Sequence, residues 1–538
     1  MSSNCWNKVN HIRYRFGCSN LKRPILKKGW SRNAFALLMG VAGALALPPW
    51  HILPLLIPAF SGIYYLTKSA GSKRRALFDG WWFGFGYFGC GLYWVGAAFF
   101  VEPELYGWMA PFAILAMVAG LAVFPAMCLW VLKSLFVRFD FCLLGGVASF
   151  ALIWAAFEWL RSWVLTGFPW NLIGTAWMPF EPVLQIASVV GVLGLGAFTV
   201  LLASSPALLF DRERKLGAFF LILAFTFGAS LWGFGAWRLS AYKEEFVEGV
   251  VMRLVQPNVP QKLKWKEDLR LSHFQKLHNM SVASIDNSSP THVVWPETAV
   301  PFLLSNSPKL LKVIGTIAPP GGVVITGAPR TDEDLGRTWN SIHAIDAKGE
   351  IIATYDKFHL VPFGEYVPLR DILPLTKLVE GRGDFSPGLG PSVLTLPKLP
   401  PVAPLICFEA IFFDIFSLES NQPDWILNLT NDAWFGDTAG PYQHLAAVQF
   451  RAIEYGVPLI RVANTGITAV VNPIGQIVAS TPINKTQIID TGLPKPLRTS
   501  PLFLKFKKFI SIGFAGVFFV VGIILLAVRE RKNGVNQN

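Results

Sequence analysis

The sequence predicts a polytopic α-helical membrane domain of about eight transmembrane helices joined to one α/β domain. Three observations predict it. Hydrophobic residues make up 52% of the 538 and charged residues only 15%, where a soluble chain carries about 25% charged residues. Seven apolar stretches precede a polar region and an eighth follows it. Within that polar region, short β-branched runs alternate with amphipathic helical segments, the pattern of an α/β domain.

Residues 1–33 form a basic tail with Lys8, Arg13, Arg15, Lys22, Arg23, Lys27, Lys28 and Arg32 and no acid, within a chain of net charge +13. A nucleic-acid arm is one reading. A cytoplasmic flank is favoured, because an apolar run starts directly at Ala34, and no nucleic-acid partner is expected. The membrane domain spans 34–239. Its first part, "AFALLMGVAGALALPPWHILPLLIPAFSGIYYLT", is two runs split by Pro48, Pro49 and Trp50, hence two helices and a tight turn. "ALA" at 44–46 resembles a signal-peptidase site, but the long basic lead and the second run favour an uncleaved anchor.

Further runs near 78–102, 107–136, 141–165, 183–210 and 217–237 can each cross a hydrocarbon core of about 30 Å. The eighth, "FISIGFAGVFFVVGIILLAV" (509–528), lies in the closing segment 506–538. Basic loops at 68–75, near Lys133 and Arg138, at 211–215 and at 529–532 fall on one side. By the positive-inside rule that side is the cytoplasm. Both termini are then cytoplasmic, and residues 240–505 lie outside, in the periplasm of a bacterial inner membrane.

Residues 240–505 are enough for one independent core. "GVVMRLVQ", "THVVWPE", "GGVVITGAP", "VAPLICFE", "DWILNLTND" and "LIRVANTG" read as strands. "TWNSIHAIDAKGEIIATYDKFHLV" and "ITAVVNPIGQIVAST" read as hairpins. "DLRLSHFQKLHNMSVASID", "SPKLLKVIGTIA", "AIFFDIFSLES" and "YQHLAAVQFRAIEYG" read as helices. The Gly/Pro-rich stretch 379–392 reads as a long mobile loop.

Three strand ends carry chemistry. "VVWPE" ends at Glu297, the stretch "TYDKFHLVPFGEYVP" carries Lys357 and Glu365, and "PLICFE" ends at Cys407 and Glu409. Ligands in α/β folds gather at the carboxyl ends of strands. A thiol with a pKa of about 8.5 is mostly protonated at neutral pH, so it needs a base, which a carboxylate supplies. A lysine ammonium and the backbone N–H of Phe408 could hold the oxyanion of a tetrahedral intermediate. Together these permit acyl transfer through a thioester. His359 or His444 could serve as the base instead, as in a thiol protease. Cys407 alone would read as a small buried apolar residue, and Glu297 alone as a helix cap. Cys5, Cys18, Cys90, Cys128 and Cys142 lie in the tail or in apolar runs, so Cys407 has no disulfide partner in its domain. No His/Cys/Asp spacing suggests a metal site, and no cofactor is called for.

"WPETAVP", "YDKFHLVPFGEYVP", "ICFEA" and "NLTNDAWFG" resemble the nitrilase superfamily, whose Glu-Lys-Cys triad sits in an α-β-β-α sandwich. With seven spans before the domain and one after, and with "EWLRSWVLTGFPW" in the membrane part, the chain resembles the superfamily's membrane-integrated branch, the apolipoprotein N-acyltransferases. The resemblance covers nearly the whole chain. It implies Glu297 as general base, Lys357 as oxyanion-stabilising cation and Cys407 as acylated nucleophile. It implies supporting roles for Glu365 near the lysine, Glu409 beside the nucleophile and Trp265 at the acyl site. Phe408 stands where the family often has tyrosine, so a role for that hydroxyl is lost here.

The implied partners are a phospholipid acyl donor, usually phosphatidylethanolamine, and a diacylglyceryl-modified apolipoprotein as acceptor. Loops 166–182 and 379–392 would then flank the lipid's path, with Phe168, Trp170 and Phe385 as interfacial anchors. Two rivals stand beside this reading: a membrane-tethered amidase or nitrilase using the same triad, and a non-catalytic lipoprotein-binding or transport protein. Seven spans speak against the first, since a soluble amidase needs no such platform. Few intramembrane charges speak against the second.

Overall fold

The computed structural model describes residues 29–139, 143–210, 214–284, 289–368, 384–413 and 422–535. The tail before residue 29, the predicted loop up to residue 383 and most of the predicted helix "AIFFDIFSLES" lie outside them.

The N-terminal region is helical, with principal helices α1 (Trp30–Ala44), α2 (Leu56–Ser69), α3 (Lys73–Gly91), α4 (Ala110–Leu121), α5 (Val123–Arg138), α6 (Leu143–Arg161), α7 (Ala187–Ser204) and α8 (Arg214–Ala241). The proline-split pair at 34–67 forms α1 and α2. Among the described residues three helical segments are long and apolar enough to cross a membrane: Pro103–Arg138, Ala187–Phe210 and Gly217–Ala241. The bent pair Lys73–Gly91 and Tyr93–Phe100 makes a fourth if it is one span. The buried Asp79 is paired here, accepting from Arg32 and Arg75, each at 2.6 Å.

The second region is a two-sheet sandwich. One sheet runs β11-β1-β2-β3-β4-β5 and the other β10-β9-β8-β7-β6. The strands are β1 (Phe246–Gln256), β2 (His292–Val294), β3 (Val324–Asp332), β4 (Arg337–Ile345), β5 (Ile351–Asp356), β6 (Val402–Ile406), β7 (Trp425–Thr430), β8 (Leu459–Ala463), β9 (Ala469–Val471), β10 (Ile477–Ser480) and β11 (Gln487–Pro494). Strand alternation builds the layers. Met252, Leu254, Val294 and Ile325 of one sheet meet Ile406, Leu427, Leu429 and Val462 of the other. Val255, Val293 and Val324 point outward onto Phe274 and Leu277 of α9 (Glu267–Val282) and Ile314 of α10 (Pro308–Gly315). Leu405, Ile426 and Leu459 point outward onto Leu445, Val448 and Ala452 of α11 (Gly440–Tyr455). The result is the α-β-β-α order, closed at the C-terminus by α12 (Leu502–Val535).

One strand was not predicted and two predicted strands end differently. β11 pairs antiparallel with β1, although "QIIDTGLP" lacks the alternation of a half-buried strand. β2 stops at Val294, because Pro296 cannot donate to a ladder. β6 stops at Ile406: Cys407 takes φ 51° and opens a short 3₁₀ turn, Cys407–Ile411. The Glu409 side chain draws that turn back by accepting from Ile406 N at 2.6 Å.

Candidate active site

Glu297 follows β2 in a turn pressed against β3. Gly327 permits this approach, since a Cβ there would lie 2.4 Å from Thr298 N and 2.7 Å from Glu297 Cα. Lys357 follows β5, and its Nζ donates to Glu365 at 2.9–3.0 Å and stands 3.8 Å from Glu297 Oε1. Glu365 is oriented by Val361 N, which donates to it at 2.9 Å. Asn340 Nδ2 on β4 donates to Glu297 at 2.8 Å and to Glu365 at 3.0 Å. All four side chains are buried. Burial would pull Lys357 down, but the Glu365 and Glu297 carboxylates hold it well above the usual lysine range.

Cys407 sits at the end of β6, also buried. Burial pushes its thiol up, the Glu297 charge pushes further, and Lys357 opposes both. The balance favours the protonated thiol. Glu409 is wholly buried and accepts from Ile406 N, Phe358 N, His359 N and the Tyr355 hydroxyl. It fastens the turn after Cys407 to the segment after Lys357. Burial pushes its carboxyl up to about 7, against the Ile406 N–H, Lys357 and the other two N–H groups.

Phe408 packs at the seam with the membrane region. Its ring stacks on Phe168 at 6.1 Å and meets Phe412 edge-on at 5.2 Å. Trp265 is half-buried and its carbonyl accepts from Arg270. The neighbouring Lys264 is the residue that reaches the site: it donates to Glu297 O at 3.1 Å and to Thr298 Oγ1 at 2.6 Å.

The two rival histidines are placed differently. His359 lies over Phe412 at 3.8 Å between ring centroids; burial lowers its pKa to about 4, against a hydrogen bond to the Thr166 backbone. His444 Nε2 faces the backbone oxygen of Cys407 at 3.2 Å, and its Nδ1 lies 2.9 Å from Asp432 Oδ1. A ring nitrogen of His444, the Cys407 sulfur and an Asp432 oxygen lie within 4.8 Å of one another. That spacing could suit a metal ion, but Arg461 Nη2 already holds Asp432 at 2.6 Å and lies 3.1 Å from His444 Nδ1. A second cation there would face a buried guanidinium, so the cluster is poorly suited to one.

Loop 166–182 corrects one expectation. Trp170 is 2% exposed, so it is no interfacial anchor. Its indole N–H donates to Gln443 at 2.9 Å.

A model of the apolipoprotein N-acyltransferase N-terminal domain matches residues 39–205, and a carbon-nitrogen hydrolase model matches residues 260–498. The apolipoprotein N-acyltransferase of Rhodopseudomonas palustris is 38% identical over 528 residues, covering 94% of this chain and 96% of that protein. That of Brucella melitensis is 40% identical over 499 residues, covering 88% and 92%. The chain belongs to the apolipoprotein N-acyltransferase family. It is an acyltransferase of the carbon-nitrogen hydrolase superfamily, with a helical membrane region and a nitrilase-like α/β domain. Among solved structures, XC1258 from Xanthomonas campestris, a CN-hydrolase superfamily protein, aligns at 15% identity and TM-score 0.34, covering 50% of this chain and 95% of that one.

For an apolipoprotein N-acyltransferase, the sequence reading overlooked the buried polar residues that hold the site: Asn340, Lys264, Tyr355, Asn428, Asp432 and Arg461. A signal existed for one. Asn428 interrupts the otherwise apolar run of β7, and a polar residue in a buried strand must have a partner.

Proposed function

We propose that acyl transfer runs through a thioester on Cys407, with Glu297 as base and Lys357 as the oxyanion's cation. The observation that carries this is a buried Glu297–Lys357–Glu365 cluster, with Lys357 Nζ 2.9 Å from Glu365 and 3.8 Å from Glu297, in one domain with a buried Cys407 at the end of β6. The donor in this reading is a phospholipid, with phosphatidylethanolamine the family's usual one, and the acceptor is the N-terminal diacylglyceryl-cysteine of an apolipoprotein.

In the first half-reaction Glu297 takes the Cys407 proton and the thiolate attacks the ester carbonyl. A C–S bond forms and the C–O bond breaks. The departing alkoxide recovers the proton from Glu297, and a lysophospholipid leaves. In the second half the acceptor's α-amine attacks the thioester, Glu297 takes its proton, the C–N bond forms and the C–S bond breaks. Returning that proton restores the thiol. The order is ping-pong. Lys357 and the N–H of Phe408 stabilise each oxyanion. Glu365 and Asn340 hold Lys357 and Glu297 in place, Glu409 braces the nucleophile turn, and Trp265 borders the acyl site.

The division proposed is 1–33 as cytoplasmic tail, 34–239 as a seven-helix membrane domain, 240–505 as periplasmic catalytic domain and 506–538 as last span and short cytoplasmic tail. It rests on the basic-loop asymmetry. Both substrates are lipids, so the site belongs at the bilayer face, where an apolar path also excludes the water that would hydrolyse a thioester.

Intact-protein mass spectrometry in detergent with phospholipid tests the chemistry. A fatty-acyl mass is expected on the unmutated chain and absent from Cys407→Ala, and a diacylglyceryl-cysteine peptide should discharge it. No adduct on the unmutated chain, with lipid untouched, would sink the reading.

A further inference from the structure

We propose that His444 is a positioning residue that holds Cys407 in its left-handed backbone conformation, and that the adjacent Gln443 ties this hold to the membrane region. The inference rests on the reading of Cys407 as nucleophile.

Cys407 is a non-glycine residue at φ 51°, a conformation that persists only where surrounding groups enforce it. Its carbonyl is the natural handle. His444 Nε2 lies 3.2 Å from that oxygen, and Asn428 Nδ2 lies 3.4 Å from it. A carbonyl oxygen only accepts, so His444 must carry its proton on Nε2. Nδ1 also faces an acceptor, Asp432 Oδ1 at 2.9 Å, with Arg461 Nη2 3.1 Å away. Burial and the Arg461 charge both push His444 below the usual histidine range, and Asp432 only partly opposes them. Both ring nitrogens are thus engaged, Nε2 on the Cys407 backbone and Nδ1 on Asp432. A base for the thiol would need the opposite arrangement, an unprotonated nitrogen turned to the sulfur.

Gln443 precedes His444 on the first turn of α11. Its side chain uses all four of its hydrogen-bonding positions on the membrane region. The Oε1 accepts from the indoles of Trp94 and Trp170, both at 2.9 Å. The Nε2 donates to Pro48 O at 3.2 Å and Gly91 O at 3.1 Å. Trp170 in turn lies against the His444 ring at 5.3 Å and stacks on Phe168, which stacks on Phe408. The carbonyl of Cys407 and the ring of the next residue are therefore both held by groups that converge on Gln443. The nucleophile's geometry is assembled by the two regions together.

The test measures the rate of thioester formation from phosphatidylethanolamine in detergent, using the full-length chain. His444→Phe keeps the ring but not the donor. It should slow acylation by about 100-fold, the scale of a roughly 1 Å misplacement, mainly in the maximal rate with little change in half-saturation. His444→Gln offers an amide N–H near the position of Nε2, and should restore the rate to within about tenfold. Its pH–rate profile should match the unmutated chain's. Acylation by His444→Phe at the unmutated rate overturns the inference. So does a His444→Gln as dead as His444→Phe with the profile's acidic limb gone, because His444 would then be the base. Failure of the unmutated chain to form any thioester would instead refute the nucleophile itself.

Discussion

Two clusters of buried charge act on Cys407, and they are built differently. Asp432 and Arg461 form a closed set. Asp432 Oδ1 accepts from Thr430 at 3.0 Å, Asp432 Oδ2 accepts from Arg461 at 2.6 Å, and Arg461 also reaches Asn428 and Ile467 O. One positive charge answers one negative charge. Even Gly466 is fitted to it, since a Cβ there would lie 2.3 Å from Asp432 Oδ2. The Glu297–Lys357–Glu365 set is looser. Two carboxylates share one lysine, Glu297 stands 3.8 Å away from it, and Asn340 Oδ1 is buried with no hydrogen-bond partner among the described residues. Lys264 adds a second positive charge, but it is spent on the backbone of Glu297 and on Thr298. The closed set has nothing left to give and serves as scaffold. The open set leaves two carboxylates on one lysine. Unspent capacity, more than the presence of charge, separates a reactive cluster from a structural one.

The sharpest way to break this comparison is to neutralise the open set. Glu297→Gln keeps the shape and the acceptor toward Asn340 but removes the base. Thioester formation should fall by roughly 10²–10⁴-fold. Because burial leaves the Cys407 thiol far from self-ionising, the residual rate should climb with pH across the alkaline range. A rate that is flat there would mean that another group takes the proton. Lys357→Met should follow, with a loss of roughly 10²–10³-fold, the scale of one oxyanion donor. The same acyl-adduct assay reads it. Equal loss in both half-reactions is expected, because each passes through an oxyanion.

Much of the open set was legible in the sequence, and the closed set was not. Glu297, Lys357 and Cys407 each stand at the end of a run that reads as a strand, and a rule about strand ends gathers them, whereas Glu365 came with the family resemblance. The Asp432–Arg461–His444 arrangement depends on three elements meeting side by side: the end of β7, the middle of β8 and the first turn of α11. No local pattern encodes that meeting. The alternation of strands and helices was readable as an α/β domain for the same local reason, and the two-sheet order came with the family resemblance. β11 was missed because its burial comes from pairing with β1 and not from its own pattern. Trp170 was misread because an aromatic loop beside a membrane helix looks alike whether it faces lipid or a second domain.

The closed set should answer to mutation with stability. Arg461→Met leaves Asp432 as an uncompensated buried charge, and removing one partner of such a pair costs about 3–5 kcal/mol. Thermal unfolding in detergent should show the loss. Adding Asp432→Asn should recover part of it, because the stranded charge goes. If the double variant is as unstable as the single one, the ion pair is not what holds this side of the site.

The smallest effect expected sharpens the comparison through Glu409, which braces the turn between the two sets. Burial raises its carboxyl to about 7 from an ordinary 4.5, with the Ile406 N–H the leading opposing group. A carboxyl whose folded value is raised binds its proton more tightly in the folded state. Stability is then fullest below about 4.5, falls as pH rises toward about 7, and is level above it. The whole change is at most about 3 kcal/mol, at 1.36 kcal/mol per unit. Glu409→Gln removes the titration but turns an amide N–H toward backbone donors. The variant should therefore be less stable overall and should lose that slope between about pH 4.5 and 7. Unfolding midpoints across that range decide it. An unmutated chain that gains stability with rising pH there would show that the four donors outweigh burial, and that Glu409 belongs with the closed set as a permanent anion.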